Sequence, residues 1–106
     1  MDTSDKSRLA SEMRTSSSKN RVLNNARAYL GKTAKLSKSS RKGKKWMIET
    51  DSGKRVHFGA SDYSDYTQHQ DKERQKNYLR RSAGIKGDWK EDKYSPNNLA
   101  REILWR

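Results

Sequence analysis

Two histidines and three aspartates crowd into "GKRVHFGASDYSDYTQHQD", residues 53–71: His57, Asp62, Asp65, His69 and Asp71. Imidazoles and carboxylates at this density could hold a divalent cation or share general acid–base work. The spacing argues against both. A zinc site needs three or four convergent ligands, and this stretch has no His-x-x-x-His or His-Glu-x-x-His pair. On a strand through "RVHF", His57 alternates with Val56 and Phe58 and points away from their shared face. His69 lies about one helical turn beyond Tyr66 and can share its face. Asp65, three residues before Gln68, has the form of a helix-capping pair, and aspartates beside glycine are common turn residues. The stretch is predicted to be a structural corner of His57, Phe58, Gly59, Tyr63, Asp65, Tyr66 and His69, with the tyrosines closing the hairpin onto a helix. No metal, cofactor or catalytic residue is expected in it.

Other routes to catalysis are weaker still. Cysteine is absent, which removes thiolate nucleophiles, thiolate metal sites and disulfides. No Gly-x-Ser-x-Gly elbow occurs, and the glycine spacing fits neither a P-loop nor a dinucleotide turn. The expectation is a protein that is not an enzyme.

Cations are the other chemistry-bearing residues. The chain carries 25 Lys/Arg against 13 Asp/Glu, a net charge of +12. They are unevenly placed: residues 1–44 hold 12 Lys/Arg against 3 Asp/Glu, and residues 45–106 hold 13 against 10. The run "SKSSRKGKK" presents Lys38, Arg41, Lys42, Lys44 and Lys45 on a Ser/Gly backbone. Such a segment can follow phosphates without reading bases. No zinc-finger, RRM, KH or helix-turn-helix signature accompanies it, so sequence-specific recognition is not expected.

At 106 residues and 29% hydrophobic composition, the chain has room for one small core. No apolar run approaches a membrane span, and no apolar stretch after Met1 reads as a signal peptide. Eight of the nine aromatics fall after residue 44. The expected organisation is a basic arm and linker over residues 1–44 and a compact body over residues 45–106. Within the arm, Leu9 and Met13 are four apart. Val22, Ala26, Tyr29 and Leu30, with Leu23 beside them, follow one helical face that Gly31 would terminate. These two short amphipathic helices need a surface to lie on. "KTAKLSKSSRKGKK" then reads as a linker without usable periodicity. The arm should not fold alone, whereas a chain beginning near Lys44 should keep its fold.

The body opens with "KWMIET" and "KRVHFGA" flanking "DSG", a β-hairpin with Trp46 and Ile48 on one face and Val56 and Phe58 on one face of the return strand. Asp65 to about Ser82 is predicted to be one polar helix, with Asp71–Arg74 and Glu73–Lys76 pairs. "AGIKGD" breaks it. A last helix starts at Ser95 as N-cap with Pro96 in first position, burying Leu99, Ile103 and Leu104. The expected fold is α+β: a small hairpin packed with following helices, preceded by an extended basic arm.

Over roughly residues 41–105 the chain resembles a small uncharacterised family of basic proteins from nucleocytoplasmic large DNA viruses, phycodnavirus and mimivirus relatives among them. The residues that carry the resemblance are Gly53-Lys54, His57-Phe58-Gly59, Tyr63, Asp65-Tyr66-Thr67, His69, Asp71, Arg74, Tyr78, Arg81 and the terminal Leu104-Trp105. Residues 1–40 have no counterpart in that pattern, and the segment that often follows Leu-Trp is missing here. The resemblance implies a viral protein made in the host cytoplasm or nucleus and carried in the virion, with no activity to transfer. Joined to the basic arm, it suggests a minor capsid component. The face of Val22, Leu23, Ala26, Tyr29 and Leu30 would then contact neighbouring capsid proteins. The alternative is sequence-independent binding and packaging of DNA through Lys38, Arg41, Lys42, Lys44 and Lys45.

Overall fold

The computed structural model describes residues 18–106. The segment at Leu9 and Met13 lies outside them. Helix α1 covers described residues 18–30 and stops at Gly31, whose φ of 102° and N–H bond to the Arg27 carbonyl (2.8 Å) make the expected left-handed stop. Strands β1 (Lys35–Lys38), β2 (Lys44–Glu49) and β3 (Arg55–Ala60) follow. Then come the short helix α2 (Tyr66–His69), helix α3 (Lys72–Ala83) and a 3₁₀ turn (Trp89–Glu91). Helix α4 (Pro96–Leu99) runs directly into a π-helical turn (Ala100–Leu104). The fold is α+β, with a three-stranded antiparallel sheet in the order β1-β2-β3.

The β2–β3 hairpin forms as its alternation predicts. Trp46 pairs with Phe58 and Ile48 with Val56, which puts all four on one face. Gly53 supplies the left-handed position of the loop, at φ 85°. Strand β1 was not visible in the sequence. Its register sets Leu36 opposite Ile48 and Lys38 opposite Trp46, so the expected linker is partly an edge strand. Only Leu36 in it is apolar and half-buried, too little for an alternating pattern, and its lysines suit a strand facing water at a sheet edge.

Among the described residues the core is one cluster: Val22, Ala26, Ile48, Phe58, Leu99, Ile103 and Leu104, with Tyr29, Leu30, Leu36, Trp46, Val56, Tyr94 and Trp105 packed against it. This corrects the division at residue 44. Val22 and Ala26 are fully buried, Asn25 Nδ2 donates to the Ile103 carbonyl (2.9 Å), and the Tyr29 hydroxyl donates to the Lys93 carbonyl (2.9 Å). The surface that α1 needs is supplied by the chain's own C-terminal helix and sheet. Its apolar face was therefore misassigned to neighbouring subunits.

The single helix expected after Asp65 is two. Asp65 caps α2 in a full capping box with Gln68. Gln70 then turns left-handed at φ 54°, its N–H bonded to the Tyr66 carbonyl (3.0 Å). Asp71 restarts the chain as α3, accepting from the Glu73 and Arg74 N–H groups at 3.0 and 3.2 Å. With no Gly or Pro here, nothing local announced the break. The His69 Nδ1 atom accepts from the Asp71 N–H (2.9 Å) and pins the kink. At the C-terminus Ser95 caps α4 and Pro96 fills its first position, as expected.

Candidate anion-binding groove

Strand β3 ends at a glycine with a purpose. Gly59 has φ 83°, and a Cβ there would lie 2.7 Å from Leu104 Cδ1. The chain passes close to the π-helical turn, then swings out through Tyr63 into α2 and α3. An open groove of about 720 Å³ results, lined on one side by Gly59, Ala60, Tyr63 and Ser64 and on the other by α3 and Trp105.

Helix α3 presents Arg74, Asn77, Tyr78 and Arg81 to this groove, positions i, i+3, i+4 and i+7 of one face. It buries only Ser82 and is held by polar and aromatic links to the chain end. Tyr78 stacks on Trp105 with ring centroids 4.1 Å apart and planes 9° from parallel. Gln75 Nε2 donates to the Trp105 carbonyl (2.9 Å), and Arg101 Nη1 donates to the Leu79 carbonyl (2.6 Å). The π-helical turn aims Trp105 at α3: its N–H bonds to the Ala100 carbonyl five residues back, at 3.1 Å. Burial raises the Tyr78 hydroxyl pKa, against the opposing pull of the Arg101 and Arg81 guanidinium groups and with a further push from the Asp65 carboxylate.

Lys45, expected to bind a polyanion, is committed elsewhere. Its Nζ donates to Asp65 Oδ2 (2.8 Å) and Gln68 Oε1 (2.7 Å), with the two charged side chains 14% and 4% exposed. Asp65 Oδ1 accepts from the Thr67 N–H (3.0 Å) and also from the Thr67 hydroxyl. Both residues line the groove, and their pairing leaves no free charge there. The remaining cations of that run, Lys38, Arg41, Lys42 and Lys44, are exposed. The β1–β2 turn, which bears Arg41 and Lys42, and Lys44 at the start of β2 lie beside the groove mouth. Lys44 pairs with Ala60 across the sheet, and the Ser61 N–H donates to the Gly43 carbonyl (3.0 Å).

Charge at this end of the molecule is therefore asymmetric. Arg74 faces Asp71 at 3.8 Å, with the side chains 63% and 47% exposed, and Asp62, next to Tyr63 in sequence, is exposed. Arg81 has no ion pair among the described residues, nor do Arg41, Lys42 and Lys44. His57 senses the excess. Desolvation first, then Arg41, Arg55 and Lys44, hold its imidazole below the ordinary histidine range.

The five residues that opened the question do not converge. His57 Nδ1 bonds Ser39 Oγ (2.7 Å), His69 Nδ1 accepts from the Asp71 N–H, and Asp65 and Asp71 cap separate helices. Among the described residues no three His, Asp or Glu side chains cluster as metal ligands. Tyr66 packs edge-on against His69 at 6.1 Å, and His69 lies 5.3 Å from Trp105. Tyr63 does not close the hairpin: it is 75% exposed at the groove lip. Sequence reasoning passed over Asn77 and Trp105 as groove residues. The helical spacing of Arg74, Asn77, Tyr78 and Arg81 was a signal, but it has no meaning until a second wall faces it.

Residues 34–82, from the approach to β1 through most of α3, are similar to a family of unknown function (DUF5754). That stretch holds the β1–β2 turn and every groove residue except Ala100, Leu104 and Trp105. No curated protein and no solved structure matches the chain.

Proposed function

We propose that this chain is a non-enzymatic nucleic-acid-binding protein that contacts phosphates without reading sequence. One observation carries the reading. The fold brings the exposed cations of the β1–β2 turn and of α3, distant in sequence, to one end of the sheet, where the described acids leave most of them unpaired. Phosphate diesters supply the matching negative charge at regular spacing, and releasing their counterions drives binding. The reading as a minor capsid component loses its structural support, because it required the α1 face that α1 spends on the molecule's own core.

The reading is tested by titrating short labelled DNA against the full chain at several salt concentrations. Affinity should fall with salt by a log–log slope near −0.9 per duplex phosphate contacted, and each Arg41→Ser, Lys42→Ser or Lys44→Ser change should lower that slope by about one. Bound phosphate near Arg41 and Lys44 offsets their repulsion of protonated His57, so its pKa should rise on binding. The sign follows from linkage: a group whose pKa is higher in the complex strengthens binding below its free-state pKa. That gain is lost as pH rises through the bound-state pKa. NMR titration of the His57 ring with and without DNA reads the shift. Equal affinity for polyglutamate, or an unchanged His57, would end the nucleic-acid reading.

A further inference from the structure

We infer that the groove between β3 and α3 takes an unpaired nucleotide, so that single-stranded nucleic acid is the preferred ligand over duplex. The inference rests on the binding role proposed above and adds the form of the ligand. Three features converge on it. Tyr63 holds an aromatic ring 75% exposed at the groove lip, where burial of one of its faces against a base would remove apolar surface from water. Arg74 and Arg81 stand one turn to either side of Asn77 and Tyr78 on the facing wall, and Arg81 carries no ion pair among the described residues. Asn77 places an amide, both donor and acceptor, between those two cations. Phosphate charge, base face and base edge thus each have a counterpart across one opening.

Size and shape discriminate between the forms of nucleic acid. The groove, about 720 Å³, lies within the roughly 300–1,000 Å³ of sites that enclose one small organic ligand. A duplex keeps its bases stacked inward and can offer one to Tyr63 only after the cost of extruding it. A single strand offers bases freely, and its backbone can continue from Arg81 and Arg74 toward the cations of the β1–β2 turn.

The test compares the full chain with labelled oligodeoxythymidine, an abasic strand of equal length and charge, and a duplex. Tyr63→Ala should weaken oligodeoxythymidine binding about tenfold, in line with the loss of one stacked base, and leave the abasic strand and the duplex unchanged. Tyr63→Phe should retain wild-type affinity, since it keeps the ring. Arg81→Gln should weaken the oligodeoxythymidine and abasic strands alike. If Tyr63→Ala leaves oligodeoxythymidine binding intact, or weakens the abasic strand equally, the groove is not a base site. The phosphate-binding role would then still stand on the turn variants. Failure of every strand to bind would end both.

Discussion

Gly59 is the residue on which the groove depends most directly. Its positive φ excludes side chains that prefer the right-handed and extended regions, and the space a Cβ would fill already belongs to Leu104. Gly53 has a similar φ of 85° with nothing within 4 Å, so it isolates the backbone contribution. Gly59→Val should therefore destabilise by about 2 kcal/mol or more, and Gly53→Ala by about 1 kcal/mol. Urea denaturation midpoints would show the difference. Equal losses at the two positions would mean that Leu104 yields and the close approach is unimportant. At this scale sequence was a good guide to the caps whose partners are local. Asp65 and Ser95 took their capping roles because a cap is satisfied by backbone groups two or three residues away, and Pro96 took the first helical position because no N–H is needed there. Lys45 was misread for the opposite reason, since its partner Asp65 is twenty residues on.

Helix α3 is an element whose sequence carries almost no reason to pack. Its only buried residue is Ser82, and its lodging against the molecule comes from Tyr78 on Trp105, Gln75 on the Trp105 carbonyl and Arg101 on the Leu79 carbonyl. Ser82 adds bonds from Arg101 Nη1 and from Asn97 Nδ2 (3.2 Å), and among all these links the stack is the one that depends on the Trp105 side chain, because Gln75 reaches its backbone carbonyl. Trp105→Ala should consequently loosen α3 by about 2 kcal/mol of local opening free energy while the sheet stays protected. Amide hydrogen exchange would resolve it: faster exchange across Lys72–Ala83, with β2 amides unchanged. Uniform loss of protection in both elements would show that Trp105 serves the whole core. The same element explains why the kink at Gln70 was missed. A left-handed glutamine is a rare conformation for a residue with a side chain, maintained here by the His69–Asp71 bond and by the two helix caps on either side.

For the whole molecule, the decisive fact is that residues 18–38 belong to the fold. Val22 and Ala26 fill the core opposite Leu99 and Ile103, and β1 adds an edge to the sheet. A chain beginning at Lys44 should then lose cooperative unfolding and near-ultraviolet ellipticity, exposing Ile48, Phe58 and Ile103 to water. Small domains have little burial to spare, and deleting one side of a core removes several side chains' worth of about 2 kcal/mol each. Dispersed, native-like NMR spectra from such a chain would restore the division at residue 44.

Sequence by itself determined the α+β class, the β2–β3 hairpin and its buried face, the left-handed stop at Gly31, the caps at Asp65 and Ser95, and the excess of positive charge. Each of these depends on spacing along the chain or on summed composition, which hydrophobic periodicity and capping chemistry report directly. Tertiary structure decided the rest: that α1 closes the core, that β1 is a strand, that Lys45 is neutralised, and that Arg81, Tyr63 and Trp105 share one groove. These follow from contacts between segments distant in sequence. An amphipathic face states only that it needs a cover, and which surface provides that cover is settled when the elements pack.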